Sequence, residues 1–233
     1  MKSLYNFIIK PLDGRYDNNV KVEDKNLIVN TCIEDFKFIS REAEVVALPS
    51  AFNTIIKVGD KIIVHHNIFR RWRDQRGNER NSAKYFFDNL YFAEIDQIYL
   101  YKRKDKWKSI NERCFIKPLK NDNQFKTNKT KDLVGILKIG NSSLKALGIT
   151  PGDVICFKPK REWEFKIEDE LLYCMKSNDI VIKYECKENQ TEYNPSWAIL
   201  NRLEEEKNIL ENKPKEEEKK EKAFKGFAER RSK

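Results

Sequence analysis

Three short sequence landmarks occur twice in this chain, in the same order, and they limit the folds that it can adopt. The landmarks and their counterparts are residues 7–12 (FIIKPL) and 114–119 (CFIKPL), residues 56–64 (IKVGDKIIV) and 149–157 (ITPGDVICF), and residues 89–98 and 172–182. The separation shrinks from 107 to 93 to 82 residues, so the second copy has shorter connecting segments. An internal repeat of this kind indicates that one folding unit has been duplicated.

Short apolar runs bounded by turn residues occur in both copies and predict β-strands. The predicted strands are residues 7–10, 44–48, 61–65, 90–94 and 97–101 in the first copy, and residues 114–117, 134–139, 153–158, 170–175 and 180–184 in the second. Aromatic residues make up 12% of the chain, and aromatic and β-branched residues favour strands over helices. Gly59 and Gly152, each followed by aspartate, mark turns that enter strands. We therefore predict an all-β chain built from compact barrels or sandwiches.

The composition excludes several classes of protein. No segment approaches the run of about 18 apolar residues that a transmembrane helix needs. The apolar start of the chain is interrupted by Pro11 and Asp13, which leaves it too short for a signal-peptide core, and we expect a cytoplasmic protein. The five cysteines form no CxxC or CxxH pair, so we expect neither zinc nor a disulfide framework, and we predict no metal site and no cofactor.

Nothing in the sequence indicates catalysis. The net charge of +9 arises from 46 basic and 37 acidic residues, and this modest excess does not decide the function. The two histidines, His65 and His66, are adjacent, and on a continuing strand they would point to opposite sides and share no site. There is no nucleophile motif, Walker loop or glycine-rich dinucleotide loop. We therefore predict no catalytic residues and no enzymatic activity.

Taken in order, the landmarks of each copy resemble the GroES co-chaperonin family. That family opens with a strand of the type apolar-x-apolar-Lys-Pro-Leu, followed by a long loop and a second strand, then a Val-Gly-Asp strand and a closing apolar hairpin. The match covers residues 7–12, 44–48, 58–64 and 90–100 in the first copy, and residues 115–119, 135–141, 151–157 and 170–182 in the second. Each motif alone is short, and their order carries the resemblance.

The resemblance implies two tandem, partly open antiparallel β-barrels, residues 1–108 with the long loop and residues 109–188 as a shorter second barrel. In this family, subunits form a ring that caps a large GroEL-type chaperonin in its ATP-bound state and so helps unfolded client proteins to fold. Edge strands at the two termini join neighbouring subunits, and we expect a homo-oligomeric ring. The richness in Asn and Lys and the divergent loops would suit a phage-encoded member.

A mobile loop after the first strand carries, in this family, an apolar triplet that docks in a groove of the chaperonin. The candidate triplet here is Leu27, Ile28 and Val29, which follow a polar stretch. Such a loop is expected to be disordered when free, because it buries too little apolar area to offset its conformational entropy. The glycines that usually precede the triplet are absent here, and the alternative is that these three residues form an ordinary core strand.

The second copy has no comparable triplet. Residues 120–131 contain Phe125 among polar and charged residues. We therefore expect the second copy to be mainly structural, and we expect aspartate at Ile28, but not at Phe125, to abolish binding to the chaperonin.

The last segment, residues 189–233, differs in character from the two copies. Trp197 and Leu200 have partly helical spacing, and residues 204–222 are dominated by Glu and Lys. We expect a short helix that packs through these two side chains, followed by a charged flexible tail.

Two basic clusters with interleaved aromatic residues leave a nucleic-acid-binding function open as an alternative. The first is residues 70–73 (RRWR) with Arg76, Arg80 and Lys84, and the second is residues 102–108. Such clusters can hold a single strand by phosphate contacts and stacking. Solvated loops are the simpler explanation, and we expect no nucleic-acid partner and no membrane partner. A structural or virion-associated β-protein is a third alternative.

Overall fold

The computed structural model describes residues 2–12, 14–16, 19–22, 25–28, 32–33, 35–121, 129–184, 190–195 and 198 of the 233-residue chain, with the backbone alone for residues 19–22 and 25–28. The strands in this part of the chain are β1 Phe7–Pro11, β2 Asn19–Val22, β3 Lys25–Ile28, β4 Glu42–Ala47, β5 Lys61–Val64, β6 Arg71–Arg73, β7 Glu79–Asn81, β8 Tyr91–Ala93, β9 Ile98–Arg103, β10 Lys106–Ser109, β11 Arg113–Lys120, β12 Thr130–Ile139, β13 Val154–Phe157, β14 Trp163–Ile167, β15 Glu170–Lys176 and β16 Ile180–Lys183. One short helix, α1, spans Ser142–Ala146, and 3-10 turns span His66–Ile68, Ile95–Gln97 and Ser177–Asp179. Across the residues that the structure describes, the prediction of an all-β fold is confirmed.

The strands form two six-stranded antiparallel sheets and two separate hairpins. The first sheet has the order β10-β9-β5-β4-β1-β8, and the second has the order β14-β15-β11-β12-β13-β16. The hairpins β2–β3 and β6–β7 are two-stranded sheets of their own.

Five strands of each sheet follow one common order. The matching strands are β1 and β11, β4 and β12, β5 and β13, β8 and β15, and β9 and β16. With this pairing, the order β9-β5-β4-β1-β8 in the first sheet is the same as the order β16-β13-β12-β11-β15 in the second. The first sheet adds β10 beside β9, whereas the second adds β14 beside β15. The three landmark pairs of the sequence fall on these matching strands.

The irregularities in strand pairing also fall at matching positions. The step from Ile8 to Ile9 skips a residue of β4, and the step from Phe115 to Ile116 skips a residue of β12. A second pair of irregular steps lies between Ile63 and Val64 in β5 and between Cys156 and Phe157 in β13. A β-bulge bends its strand at one defined point, so matching bulges give the two sheets the same local shape.

Three apolar clusters hold the described chain together. The first sheet has a core that includes Phe7, Val45, Ile62, Phe69 and Tyr91, and the second has one built from Cys114, Ile116, Leu137, Leu144, Ile155, Phe157 and Met175. The third cluster joins the sheets, with Ile63, Tyr99 and Leu100 from the first and Phe115, Phe165, Ile167, Leu172 and Cys174 from the second. We call this third cluster the junction.

All ten strands predicted from apolar runs are present, with ends shifted by a few residues. The sequence reasoning missed β2, β6, β7, β10, β14 and α1, and it raised a strand at residues 27–29, where β3 lies, only as the alternative to a docking triplet. Several of these are short and exposed; β7, for example, is exposed at all three positions and has no apolar residue to reveal it.

Within the final segment, residues 189–233, the structure describes residues 190–195 and 198. Lys120 N–H donates to the Thr191 carbonyl at 2.7 Å, and Tyr193 N–H donates to the Pro118 carbonyl at 2.8 Å, so this stretch runs along β11. Trp197 and Leu200, predicted to anchor a helix, and the charged tail lie outside the described residues. In the described part of the chain, no helix has the length and apolar character needed to cross a membrane.

Candidate interaction surfaces

The predicted docking triplet lies in the connection between β1 and β4. Leu27 and Ile28 belong to β3, where Leu27 is opposite Val20 and Ile28 is opposite Asn19 of β2. Val29 lies outside the described residues. Because the β2–β3 hairpin pairs with neither six-stranded sheet, its backbone forms an excursion from the first sheet.

The base of this excursion is held by residues of the first half that lie outside its six-stranded sheet. Tyr16 bridges Ile39 as an isolated antiparallel pair, and the Tyr16 hydroxyl accepts a hydrogen bond from the Arg71 N–H at 2.8 Å. The Arg15 guanidinium donates to the Phe69 carbonyl at 3.0 Å through one of its nitrogens. These contacts hold the start of the excursion, at Arg15 and Tyr16, against the rest of the first half.

The corresponding connection in the second half is shorter. β11 and β12 continue to pair as far as Lys120 and Thr130, which leaves few residues between them. Phe125, the one apolar side chain predicted there, lies outside the described residues.

Aromatic side chains dominate the junction between the two sheets. Tyr99 of β9 meets Phe165 of β14 with ring centroids 4.8 Å apart, and Phe165 meets Phe115 of β11 at 5.5 Å. Tyr99 and Phe165 are each 2% exposed. A buried aromatic pair in edge-to-face geometry adds about 0.5–1.5 kcal/mol beyond its area burial, so these rings bind the sheets firmly.

Arginine side chains flank the junction on both sheets. The Arg41 guanidinium lies 3.9 Å from the centroid of the Phe165 ring, and the Arg113 guanidinium lies 3.9 Å from that of Tyr99. Arg113 also donates to the Asp96 carbonyl at 2.7 Å. Each arginine therefore packs on an aromatic ring contributed by the opposite sheet.

Two residues of β9 are buried in the junction, but the residues at the matching positions of β16 are exposed. Strand register places Val181 and Ile182 of β16 where Tyr99 and Leu100 lie in β9. Tyr99 is 2% and Leu100 is 0% exposed, whereas Val181 is 52% and Ile182 is 51% exposed. The outer strand of the second sheet thus presents an unpartnered apolar surface.

The first half also exposes an aromatic side chain, Phe86, at the position that matches the junction residue Phe165. Tyr85 forms an isolated antiparallel bridge with Tyr91, and the matching pair in the second half is Glu164 with Tyr173. The residue after Tyr85, Phe86, therefore occupies the position that Phe165 holds in the second half. Phe86 is 42% exposed, and its ring centroid lies 4.8 Å from that of Phe92. A cavity of about 370 Å³ opens beside these rings, lined also by Leu4, Tyr5 and Ile8.

His65 and His66 line one shared cavity, so the prediction that they point to opposite sides of a strand is wrong. β5 ends at Val64 and a 3-10 turn begins at His66, so strand alternation stops before the pair. Their rings stack with centroids 4.4 Å apart beside a cavity of about 490 Å³. Burial, and then the positive charge of Arg41, lowers the pKa of both imidazoles, that of His66 to about 3.

Three of the six cations in the first basic cluster of the sequence pair with nearby carboxylates. The ion pairs are Arg71–Glu79 at 2.8 Å, Arg80–Asp74 at 2.9 Å and Lys84–Glu94. In the second cluster, Lys102 pairs with Glu168 at 2.7 Å and lies over the Trp107 ring. Cations held in such pairs are less available for phosphate contacts.

The described residues include no group of three or more His, Cys, Asp or Glu side chains that could hold a metal ion. Cys114 and Cys174 are buried free thiols, and burial raises the pKa of each to about 12. A thiol with so high a pKa is a poor nucleophile at neutral pH.

No protein-family model matches this chain, and no curated protein matches it either. The function is therefore inferred from the repeated strand register, the two exposed apolar surfaces and the hairpin excursion.

Proposed function

We propose that the chain is a GroES-type co-chaperonin: two tandem, partly open β-barrels whose copies form a ring that caps a GroEL-type chaperonin in its ATP-bound state and assists folding of the client protein inside. The observation that carries the proposal is the common strand order of the two sheets, with bulges at matching positions. This match supports one folding unit used twice, which is the organisation that the family resemblance implies.

The junction within the chain serves as the template for contacts between chains. Within one chain, Tyr99 and Leu100 pack in the junction with Phe165. Between chains, their counterparts Val181 and Ile182 of one copy pack in the same way against Phe86, the counterpart of Phe165, in the next copy. Fully burying an aliphatic side chain contributes roughly 1.5–3 kcal/mol, and the exposed surfaces already hold several such groups. Because the two surfaces differ, the contact is head-to-tail, and a head-to-tail contact forms a ring when its rotation closes.

The β2–β3 excursion supplies the contact with the chaperonin. Leu27, Ile28 and Val29 dock in an apolar groove of the large subunit, and each side chain contributes roughly 1–2 kcal/mol before the cost of ordering. One such contact is weak and reversible. Several, held in a ring, bind well together because the effective concentration of each loop rises once the first has docked. The second barrel enlarges and supports the ring.

Ring assembly is tested by native mass spectrometry of the full chain and of Ile182→Asp. The wild-type chain should form a closed oligomer, and Ile182→Asp should dissociate it, because a carboxylate would be buried against Phe86 without a partner. Leu147→Asp is the matched control, since Leu147 is 73% exposed and lies outside both proposed contact surfaces. A monomeric wild-type chain, or dissociation by both variants alike, contradicts the head-to-tail assembly.

Docking is tested by size-exclusion chromatography with a purified GroEL-type chaperonin and ATP. The wild-type chain should co-elute with the chaperonin and be released when ATP is removed. Ile28→Asp should abolish co-elution, whereas Phe125→Asp in the corresponding connection of the second half should not. The opposite pattern would place the docking residues in the second half.

A further inference from the structure

A second candidate site lies beside the junction, in the cavity of about 490 Å³ that the two histidines line. Its walls come from both halves of the chain, with Phe36 and Tyr99 from the first and Trp163 and Phe165 from the second. Small-molecule sites typically have volumes of roughly 300–1,000 Å³ and mostly apolar, aromatic walls with a few polar groups. We call this space the Arg41 cavity.

Arg41 is the buried charge in the wall of this cavity. The residue is 8% exposed, and its guanidinium stacks on Phe165 at 3.9 Å. Among the residues that the structure describes, its side chain donates no hydrogen bond and forms no ion pair. Burial lowers the pKa of Arg41 to about 10, so it stays charged at neutral pH.

No Arg41 nitrogen is among the fully buried side-chain atoms that lack a hydrogen-bond partner, so the guanidinium N–H groups keep contact with the cavity, where an acceptor can reach them. The arrangement that best satisfies a guanidinium is a planar carboxylate, which accepts two parallel N–H···O hydrogen bonds. The cavity offers space for such a group where the protein provides none.

His65 supplies a second hydrogen-bond donor at the cavity. Its Nδ1 accepts the Asn67 N–H at 3.1 Å, so a neutral imidazole must carry its proton on Nε2. Burial, and then Arg41 and Arg113, lowers the pKa of His65, which favours this neutral form. The ring therefore presents a donor, and a carboxylate would suit it as an acceptor.

The remaining charges limit how negative a ligand can be. Glu162 and Glu164 also line the cavity, and their carboxylates would repel a doubly charged phosphate more strongly than a single carboxylate. The aromatic walls favour a flat apolar body, since offset or edge-to-face stacking on such rings is attractive.

We propose that the Arg41 cavity binds a small aromatic monocarboxylate, with the carboxylate on the Arg41 guanidinium and the ring against Phe36 and Trp163, the two exposed aromatic side chains of its wall. Because the walls come from both sheets, the ligand also bridges the two halves of the chain. This site is separate from the contacts with the chaperonin and does not depend on them.

The test is isothermal titration calorimetry of the full chain with phenylacetate, phenylacetamide and phenyl phosphate. Phenylacetate should bind about tenfold more tightly than the neutral amide, because a carboxylate carries the opposite charge and accepts two parallel N–H···O bonds from the guanidinium, whereas the amide offers one uncharged carbonyl oxygen. Phenyl phosphate should bind more weakly than phenylacetate. Arg41→Gln should reduce binding of phenylacetate to the level of the amide, and Arg161→Gln is the matched control, since Arg161 is an exposed cation paired with Asp179 outside the cavity wall.

The comparison among ligands on the wild-type chain holds even if Arg41→Gln folds poorly. Equal affinities for the acid and the amide would contradict the role of Arg41, and so would undiminished binding of phenylacetate by a folded Arg41→Gln variant. No binding of phenylacetate at millimolar concentration would overturn the proposal. Tight binding of phenyl phosphate would assign the cavity to a dianionic ligand instead and overturn the monocarboxylate.

Discussion

Asp60 and Asp153 hold the same turn in the two halves of the molecule. Each carboxylate accepts the backbone N–H of the residue three positions earlier at 2.8 Å. Each also pairs with a cation from a matching strand, Asp60 with Arg103 of β9 at 2.6 Å and Asp153 with Lys183 of β16 at 2.8 Å. The glycine before each aspartate has a positive φ, which the turn requires. The Gly-Asp landmark thus joins a turn to a charge pair in both copies.

Asp153 should make stability depend on pH at the acid end. The hydrogen bond from Lys183, followed by that from the Thr150 N–H, lowers the pKa of Asp153 from 3.8 to about 2. Because the folded-state pKa is the lower one, its contribution is present above about pH 4 and is lost as the pH falls towards 2. Asp153→Asn should lower the free energy of unfolding at pH 6 by more than at pH 2 in urea titrations. Asp105→Asn, at a fully exposed carboxylate, should show no such difference, and an equal loss at both pH values would contradict the account.

Gly135 should tolerate no side chain. A Cβ atom there would lie 2.4 Å from the Ile116 Cγ2 and 2.7 Å from the Lys117 carbonyl oxygen, so β11 and β12 would have to move apart. We expect Gly135→Ala to destabilise the chain by about 1–3 kcal/mol, the usual cost of overpacking, measured by urea unfolding. Gly140→Ala is the control, since its Cβ would meet a Leu137 methyl group at 3.3 Å. Equal effects of the two variants would contradict the close approach of β11 and β12.

His66 should make the folded chain less stable in mild acid. Burial, and then Arg41, His65 and Arg70, lowers its pKa from 6.5 to about 3. Between these values the unfolded chain binds more protons than the folded chain, so the free energy of unfolding falls as the pH drops below about 6.5. His66→Gln cannot take up this proton, and its stability should fall less than that of the wild-type chain between pH 7 and pH 5. Identical slopes would show that His66 is protonated as readily in the folded chain as in the unfolded one.

Phe165 should be essential to the chain itself, whereas Phe86 should matter mainly between chains. Phe165 is 2% exposed and contacts Tyr99 and Phe115, so Phe165→Ala should cost about 3–5 kcal/mol in thermal or urea unfolding. Phe86 occupies the matching position but is 42% exposed. Under dilute conditions that favour the monomer, Phe86→Ala should cost only about 0.5–1.5 kcal/mol, mainly for the lost ring contact with Phe92. A large loss from Phe86→Ala in the monomer would undermine the equivalence of the two surfaces.

The paired strands of the two sheets were predictable because their apolar residues lie in short runs beside turn residues. β14 was also detectable, since Phe165 and Ile167 are buried at alternate positions, the pattern of a strand with one buried face. By contrast, β6 and β7 are exposed hairpin strands whose apolar pattern is too sparse to reveal them.

The Arg41 cavity could not have been predicted from sequence patterns. Arg41 and Phe165 lie far apart in the chain and meet only because the two sheets pack at the junction. His65 and His66 line the same cavity because β5 ends at Val64, before the pair. The end of a strand is harder to predict from sequence than the strand itself, so this arrangement was missed. Leu27 and Ile28 were assigned from the position of their loop, and the docking role of the triplet with Val29 stays a prediction.

Electron microscopy of the full chain mixed with a purified GroEL-type chaperonin and ATP tests the central proposal most directly. We predict double-ring particles with a cap of several copies of this chain at one or both ends, and we expect the cap to be lost when ATP is withheld. A chain that stays monomeric and leaves every double ring uncapped, with ATP or without it, would contradict the proposal.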